Sequence, residues 1–206
     1  MNLQSHGRTD EVFSAVGAPM TRVLYELKSW LQINKKSGQN SDNIGRLQAK
    51  LRSLTMVDPE YKVINFGGYD LPLESMDMSS DDFDALIKAM PGICECCIID
   101  MDGIFNPLLL TAMKCADDVV IVGDGTAKGN QCLEKVLRSI EILNGTDTPV
   151  LKGALHVLYT HFGSAAVQIQ LPDYANLLGC IPNYSGSDEK RIVNELIGNR
   201  VFEQLE

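Results

Sequence analysis

Several polar residues could do chemistry, because each closely follows an apolar segment that is typical of a β-strand. Ligands bind beyond the carboxyl ends of the strands in an open parallel sheet, so these positions are candidate binding residues. A carboxylate there can hold a magnesium-bound water beside nucleotide phosphates. The residues at the strand ends are Asp100 and Asp102, residues 123–126, Thr160 and His161, and Pro182 and Asn183.

Asp100 has the placement of the aspartate in a Walker B strand, because it directly follows the apolar run Cys97-Ile-Ile. Many parallel strands also end in an aspartate that only caps a turn, so both interpretations stay open. A P-loop would add glycine amides that cradle the phosphates and a lysine directly after a glycine. None of the 17 glycines is followed by lysine. The glycine-rich stretch 123–129 has its lysine out of place and is predicted to be a helix-capping turn.

Other catalytic and metal-binding patterns are missing from the sequence. It has no G-x-S-x-G nucleophile elbow, and Gly123 and Gly125 lack the third glycine of a dinucleotide fingerprint. No second cysteine pair follows residues 94–97 at zinc-ribbon spacing, and the three histidines are scattered. We therefore interpret the six cysteines as small buried thiols and predict no metal site.

Two amphipathic helices are predicted at the start of the chain. Apolar residues recur at helical spacing after Pro19 and again after residue 43, and the polar stretch 34–43 is predicted to be a loop. We expect a helical segment over residues 1–60 that packs on a later domain. The two apolar stripes are Val23, Leu24, Leu27 and Leu31, and Ile44, Leu47, Leu51 and Leu54.

From Tyr61 onward, short apolar strands alternate with helices. The strands are apolar on both faces, which is typical of a mostly parallel sheet flanked by helices. Residues 61–206 are therefore predicted to form one α/β domain. The strands are expected at residues 62–66, 96–100, 118–122, 154–159 and 177–181, and helices are expected to begin near Ser79, Asn106, Thr126 and Ser187.

Composition and charge exclude several classes of protein. The chain has 206 residues, of which 45% are hydrophobic and 22% charged, as in ordinary globular proteins. Its net charge of −9 divides into +3 over residues 1–62 and −12 over residues 63–206. Such an acidic body repels phosphate backbones, so nucleic acid is not an expected partner. The basic stretch 28–62 is interpreted as a solvated helical face, with contact to an acidic partner, lipid or DNA as the alternative.

No apolar run approaches the ~18–20 residues that span a bilayer, and the first residues contain no apolar signal region. We therefore predict a cytoplasmic protein whose contact with membranes is at most peripheral.

Four phrases resemble, in the same order, those of the MinD/ParA group of P-loop ATPases. There an apolar strand ends in aspartate, and a helix ending in an Ala-Asp-Asp phrase leads into the next strand. The matching phrases are Ile98-Ile-Asp-Met-Asp, Cys115-Ala-Asp-Asp-Val-Val-Ile-Val, Leu158-Tyr-Thr-His-Phe-Gly-Ser and Gly179-Cys-Ile-Pro-Asn. An asparagine usually stands at the place of His161. The segment 20–29 is similar to the CpaE/TadZ branch, which positions pilus-assembly machinery at the cell pole.

The resemblance implies a SIMIBI P-loop NTPase-like fold that is incomplete or diverged on its N-terminal side. It implies that ATP and magnesium would bind only with an additional P-loop segment, and it assigns no catalytic residue. The residues that it places near the nucleotide and magnesium are Asp100 and Asp102, and those that it places on the base side are Thr160, His161, Ile181 and Pro182.

Two functions follow from this resemblance as expectations. The first is a non-catalytic homodimer that positions or scaffolds a pilus or secretion assembly, at the cell pole or inner membrane face through its protein partners. The alternative is the C-terminal part of an active Mg-ATP-hydrolysing ATPase whose P-loop lies upstream. The missing Gly-Lys pair favours the first, and a P-loop in the upstream reading frame would establish the second.

Overall fold

The computed structural model describes residues 18–37, 44–59, 62–184, 189–198 and 205. The chain divides into two compact units, Met1–Ala112 and Met113–Glu206. Among the described residues, no helix combines the length and the apolar character that crossing a membrane requires. The predicted helix start at Ser187 lies outside the described residues.

The first unit is built around three helices, α1 (Met20–Ser37), α2 (Ile44–Leu54) and α3 (Ser80–Ala89). The first two confirm the predicted stripes, but α1 continues through residues 34–37, where a loop was expected. Asn34 is buried within the helix, so the polar composition of this stretch was misleading. The third helix begins at the predicted capping box, in which the Ser79 hydroxyl accepts from the Asp82 amide at 3.2 Å.

These three helices share one hydrophobic core. Its most deeply buried side chains come from all three, and the apolar stripes of α1 and α2 meet one face of α3. Helices on both sides of residue 60 thus pack together within the first compact unit, which extends to Ala112. The central side chains are Val23, Leu27, Leu47, Leu51, Phe83 and Leu86.

The predicted strand at residues 62–66 is shorter than expected and does not belong to a parallel sheet. It forms β2 (Ile64–Asn65), which pairs antiparallel with β1 (Met56–Val57). The connection between them turns at Lys62, whose φ is 57°. Two 3₁₀ segments, Pro72–Asp77 and Met90–Gly92, flank α3.

The predicted strand at residues 96–100 is wrong. Only Asp100 makes an isolated β-bridge, and residues 96–99 have no regular secondary structure. Ile98 is 76% exposed, whereas a central strand would bury it. A short apolar run carries no periodic signal of its own, and it becomes a strand only where a neighbouring backbone pairs with it. The Walker B-like interpretation of this segment loses its structural basis.

Helix α4 (Pro107–Cys115) follows, and it begins as expected at Asn106, whose Oδ1 accepts from the Leu109 amide at 2.9 Å. It leads to the second unit, which contains β3 (Asp118–Gly123), α5 (Ala127–Asn144), β4 (Ala154–Phe162), β5 (Ala175–Pro182) and α6 (Glu189–Gly198).

The second unit has a three-stranded parallel sheet in the order β3-β4-β5. This confirms an α/β class with a parallel sheet and helices. The central strand β4 is buried from Leu155 to Tyr159, and the α5 stripe of Leu133, Leu137 and Ile140 is buried too. All three strands run in one direction, so their carboxyl ends lie at one edge of the sheet.

Candidate functional site

The candidate site is the carboxyl edge of this sheet, which we define as residues 123–126, 160–162 and 181–183. It collects three of the four polar groups that were singled out in the sequence. β3 and β4 are paired in regular register up to Gly123 and Tyr159, so the turn after β3 lies beside the end of β4. The Thr160 hydroxyl lies 3.5 Å from the Gly123 carbonyl oxygen, which it can reach as a donor.

The turn after β3 is closed by its own side chains. Asp124 Oδ1 accepts from the Thr126 amide and from the Thr126 hydroxyl, both at 2.9 Å. The Thr126 hydroxyl in turn accepts from the Gly129 amide at 3.0 Å and caps α5. This arrangement confirms the predicted helix-capping turn.

An anionic side chain, Asp124, already lies at the start of α5, where a helix N-terminus favours negative charge. A Cβ added at Gly129 would lie 2.0 Å from Asp124 Oδ1, so the carboxylate sits against the first turn of the helix. The hydrogen bonds from the Thr126 amide and hydroxyl, with the nearby His161, lower the pKa of Asp124 below its ordinary value. A group that is ionised so readily repels a second anion from the positive end of the helix.

The connection from β4 to β5 folds over the same turn. Gly125 has a φ of 70°, and a Cβ there would lie 2.7 Å from the Phe162 ring and 2.9 Å from the Ala166 Cβ. The Val167 amide donates to the Gly125 carbonyl at 3.0 Å, and Asn130 Nδ2 donates to the Val167 carbonyl at 2.7 Å. The connection therefore covers Gly125, which is buried, whereas residues 126–128 at the start of α5 are exposed.

The end of β4 carries an irregularity at a predicted site residue. Tyr159 pairs with Cys180 and Phe162 with Pro182, so β4 has one residue more than β5 between the paired positions. His161 lies in this bulge with a φ of 54°, and its side chain is exposed. A left-handed histidine at a strand end is uncommon, and bulges frequently re-aim side chains near functional sites.

The four residues predicted for the base side have different surroundings. Thr160, His161 and Pro182 lie at the carboxyl edge, and His161 and Pro182 are exposed. Ile181 instead packs against Leu158 and Leu178, so it contributes to the apolar interior of the second unit.

Asp100 and Asp102 belong to the first unit, where both are exposed in a segment without strand structure. Neither side chain has the strand-end placement that the sequence predicted for it. Among the residues that the structure describes, no three histidine, cysteine or acidic side chains come together as a metal site. At the carboxyl edge the glycine-rich turn after β3 carries the Asp124 carboxylate, whose charge disfavours a triphosphate there.

The interpretation of the cysteines as buried thiols is wrong. All six are free; Cys96, Cys97 and Cys132 are exposed, and the other three are partly exposed. Two further features were not predicted from the sequence. Asp124, two residues before a helix cap, could have been recognised as an Asx turn. Cys94 and Cys97 have the C-x-x-C spacing of reactive dithiols.

A comparison of the chain with models of protein families gave no match, and a comparison with curated proteins gave none either. The resemblance to the MinD/ParA group therefore stays a prediction from the sequence phrases.

Proposed function

We propose that this chain is a non-catalytic, MinD/ParA-like protein of the CpaE/TadZ type, which acts as a homodimer that positions or scaffolds a pilus or secretion assembly. The observation that carries the proposal is the closed turn after β3. It is the best glycine-rich candidate for a phosphate loop, and its Asp124 carboxylate accepts from Thr126, whose hydroxyl caps the helix start. The exposed, strandless setting of Asp100 supports the same conclusion.

Electrostatics also support a role in protein binding rather than phosphate chemistry. Residues 63–206 carry a net charge of −12, which disfavours polyanionic ligands over this part of the chain. A triphosphate would have to overcome this field without a lysine after a glycine, the group that normally reaches the β and γ oxygens. Contacts with another protein do not require a polyanion to enter this negative field.

One observation favours the alternative, in which the chain is the C-terminal part of an active ATPase. Thr160, His161 and Pro182 lie together at the carboxyl edge, where the resemblance places the base of a nucleotide. His161 has a left-handed backbone, and backbone strain of this kind is found most often at functional sites. In this alternative the phosphates are held by an upstream segment.

The test measures Mg-ATP binding, phosphate release and molecular mass on the same sample. We expect no saturable heat of binding up to about 1 mM nucleotide, which corresponds to less than about 4 kcal/mol of binding free energy. We also expect no phosphate release above the blank, and a dimer mass in sedimentation that Mg-ATP leaves unchanged.

Asp100→Asn provides the control for activity. Micromolar Mg-ATP binding with turnover that falls in this variant would overturn the non-catalytic proposal. A monomer at all concentrations would contradict the homodimer. The alternative is tested separately, since a K-G-G-x-G-K-T phrase in frame upstream of Met1 would establish it and a stop codon there would reject it.

A further inference from the structure

Residues 70–77, which we call the acidic apolar segment, follow β2 and are held against the first turn of α1. The Glu74 carboxylate accepts from the Thr21 hydroxyl of α1 at 2.5 Å and from the Leu71 amide at 3.1 Å. The Thr21 hydroxyl oxygen also accepts from the Asp70 amide at 3.2 Å. These bonds, first from Thr21 and then from Leu71, lower the pKa of Glu74 below its ordinary value. The segment is therefore fixed on the helix and carries a negative charge there.

The acidic apolar segment exposes large apolar side chains although its backbone is anchored. They are Leu71, Leu73 and Met76, which are 61%, 71% and 79% exposed. All charges of this stretch are negative, because residues 69–84 contain six aspartate and glutamate residues and no lysine or arginine. Exposed apolar side chains that are grouped within a charged rim are typical of a protein interaction site. A partner for this surface must itself present apolar and cationic side chains.

The outer side of α1 and α2, which we call the basic helical face, has this complementary character. The two helices contain seven lysine and arginine residues and a single glutamate. Three exposed side chains of α1 lie within one sector of the helix, at spacings of three and eight residues: Arg22, Tyr25 and Ile33. Lys50 of α2 contacts Glu26 of α1 at 2.5 Å, and exposed Arg46 precedes Lys50 by one turn, so Arg46 lies on the same side of α2.

The charges of both surfaces remain after the ion pairs within the first unit have formed. Two such pairs link α1 to the start of α3, Lys28–Asp82 at 4.0 Å and Lys35–Asp81 at 3.7 Å. In the part of the chain that the structure describes, four exposed residues of the two surfaces enter no ion pair: Arg22, Arg46, Asp70 and Asp77. The two surfaces are also adjacent, because Thr21, which holds the acidic apolar segment, directly precedes Arg22.

We propose that the partner at these surfaces is a second copy of this chain. The acidic apolar segment of each copy lies against the basic helical face of the other, so the same contact occurs twice around a two-fold axis. A second copy is the occupant that charge complementarity favours, because it supplies both surfaces at once. The apolar side chains cover one another, and the opposite charges around them fix the orientation. This interface rests on the proposed homodimer and assigns the residues that form it.

Two charge-reversal variants test the interface by sedimentation equilibrium of the full chain. One combines Asp70→Lys with Asp77→Lys, and the other combines Arg22→Glu with Arg46→Glu. Each alone should weaken dimerisation at least about tenfold, because like charges then meet at both contacts. An equimolar mixture of the two variants should associate within about threefold of the wild type, because opposite charges again face each other in the mixed dimer. Mixing cannot repair a chain that fails to fold, so this recovery separates the interface from a folding defect.

The matched control combines Glu134→Lys with Asp147→Lys, which makes the same change of charge at exposed positions of the second unit. It should dimerise within about twofold of the wild type. Met76→Ser tests the apolar part of the interface. Because Met76 is 79% exposed in the single chain, the variant should keep its circular dichroism while its dimerisation weakens about fivefold.

The outcomes distinguish this interface from the homodimer itself. A wild-type dimer that neither charge-reversal variant weakens would overturn the interface, leave the homodimer standing and assign the acidic apolar segment to a different partner. Weakening that the mixture does not restore would overturn the interface as well. A wild-type chain that stays monomeric at all concentrations would reject both the homodimer and its interface.

Discussion

Replacing Gly125 by alanine tests whether the turn after β3 and the β4–β5 connection form one packed structure. The substitution adds a single methyl group at a backbone φ of 70°. That methyl group would lie 2.9 Å from the Ala166 Cβ and 2.7 Å from the Phe162 ring. The ring can rotate, but the Ala166 Cβ is fixed to its backbone, so the connection itself must move.

Two effects set the size of the loss. A left-handed conformation costs a residue with a Cβ about 1 kcal/mol relative to glycine. Overpacking costs about 1–3 kcal/mol, and displacement of the connection also weakens the bond from the Val167 amide to the Gly125 carbonyl. The free energy of unfolding of the second unit should therefore fall by about 2–4 kcal/mol.

Urea unfolding measures this change. With a slope of about 1.5 kcal/mol per molar urea, the midpoint of the second unit should fall by about 2 M. Hydrogen exchange of peptides from β4 follows the second unit, and the fluorescence of Trp30, the single tryptophan, follows the first. Gly163→Ala is the matched control, because a Cβ there meets nothing within 4 Å and the residue lies in the same connection. Equal midpoints for the two variants would refute the packing argument.

Two further predictions concern caps and buried charges. Thr126→Ala removes the hydroxyl that accepts from the Gly129 amide, and it should lower the free energy of unfolding in urea by about 1 kcal/mol. Thr126→Ser keeps a hydroxyl and should retain that stability. Equal losses in the two variants would contradict the capping role. Burial, and then the charge of Asp82, raises the pKa of Tyr69 to about 12. The folded state therefore gains stability from the neutral phenol below pH 10, and loses it as the pH rises through about 12. Ultraviolet titration should show a tyrosine that ionises near pH 12 and moves to lower pH in Asp82→Asn, and an unchanged curve would exclude the charge of Asp82 as a cause.

The parts of the fold that could be predicted are those with a periodic pattern of apolar residues or a helix-capping residue. Helix α5 has both, since Leu133, Leu137 and Ile140 repeat at helical spacing after Thr126, and its start and buried face are as expected. Strands β3 and β4 were also predicted from their apolar runs. The sequence at residues 96–100 offers the same apolar run, yet it is not a strand, because pairing depends on a neighbour that no local pattern reports.

The candidate site was predictable only in outline. Strand ends indicated where Thr160 and His161 would lie, since parallel strands finish at one edge of a sheet. The bulge that exposes His161 depends on the register between β4 and β5, which residue types do not encode locally. The partner of the first two helices was open for a related reason, since the stripes of α1 and α2 show that they bury a face but not which helix covers it.

The extra residue near the end of β4 also affects how this sequence can change in length. Elsewhere in a strand, losing one amino acid turns every later side chain to the opposite surface of the sheet. Between Tyr159 and Phe162 the partner strand already has one residue fewer, so a deletion there would restore even pairing instead of disturbing it. Among descendants of this gene, single-codon deletions in the central strand should therefore be tolerated best at this point.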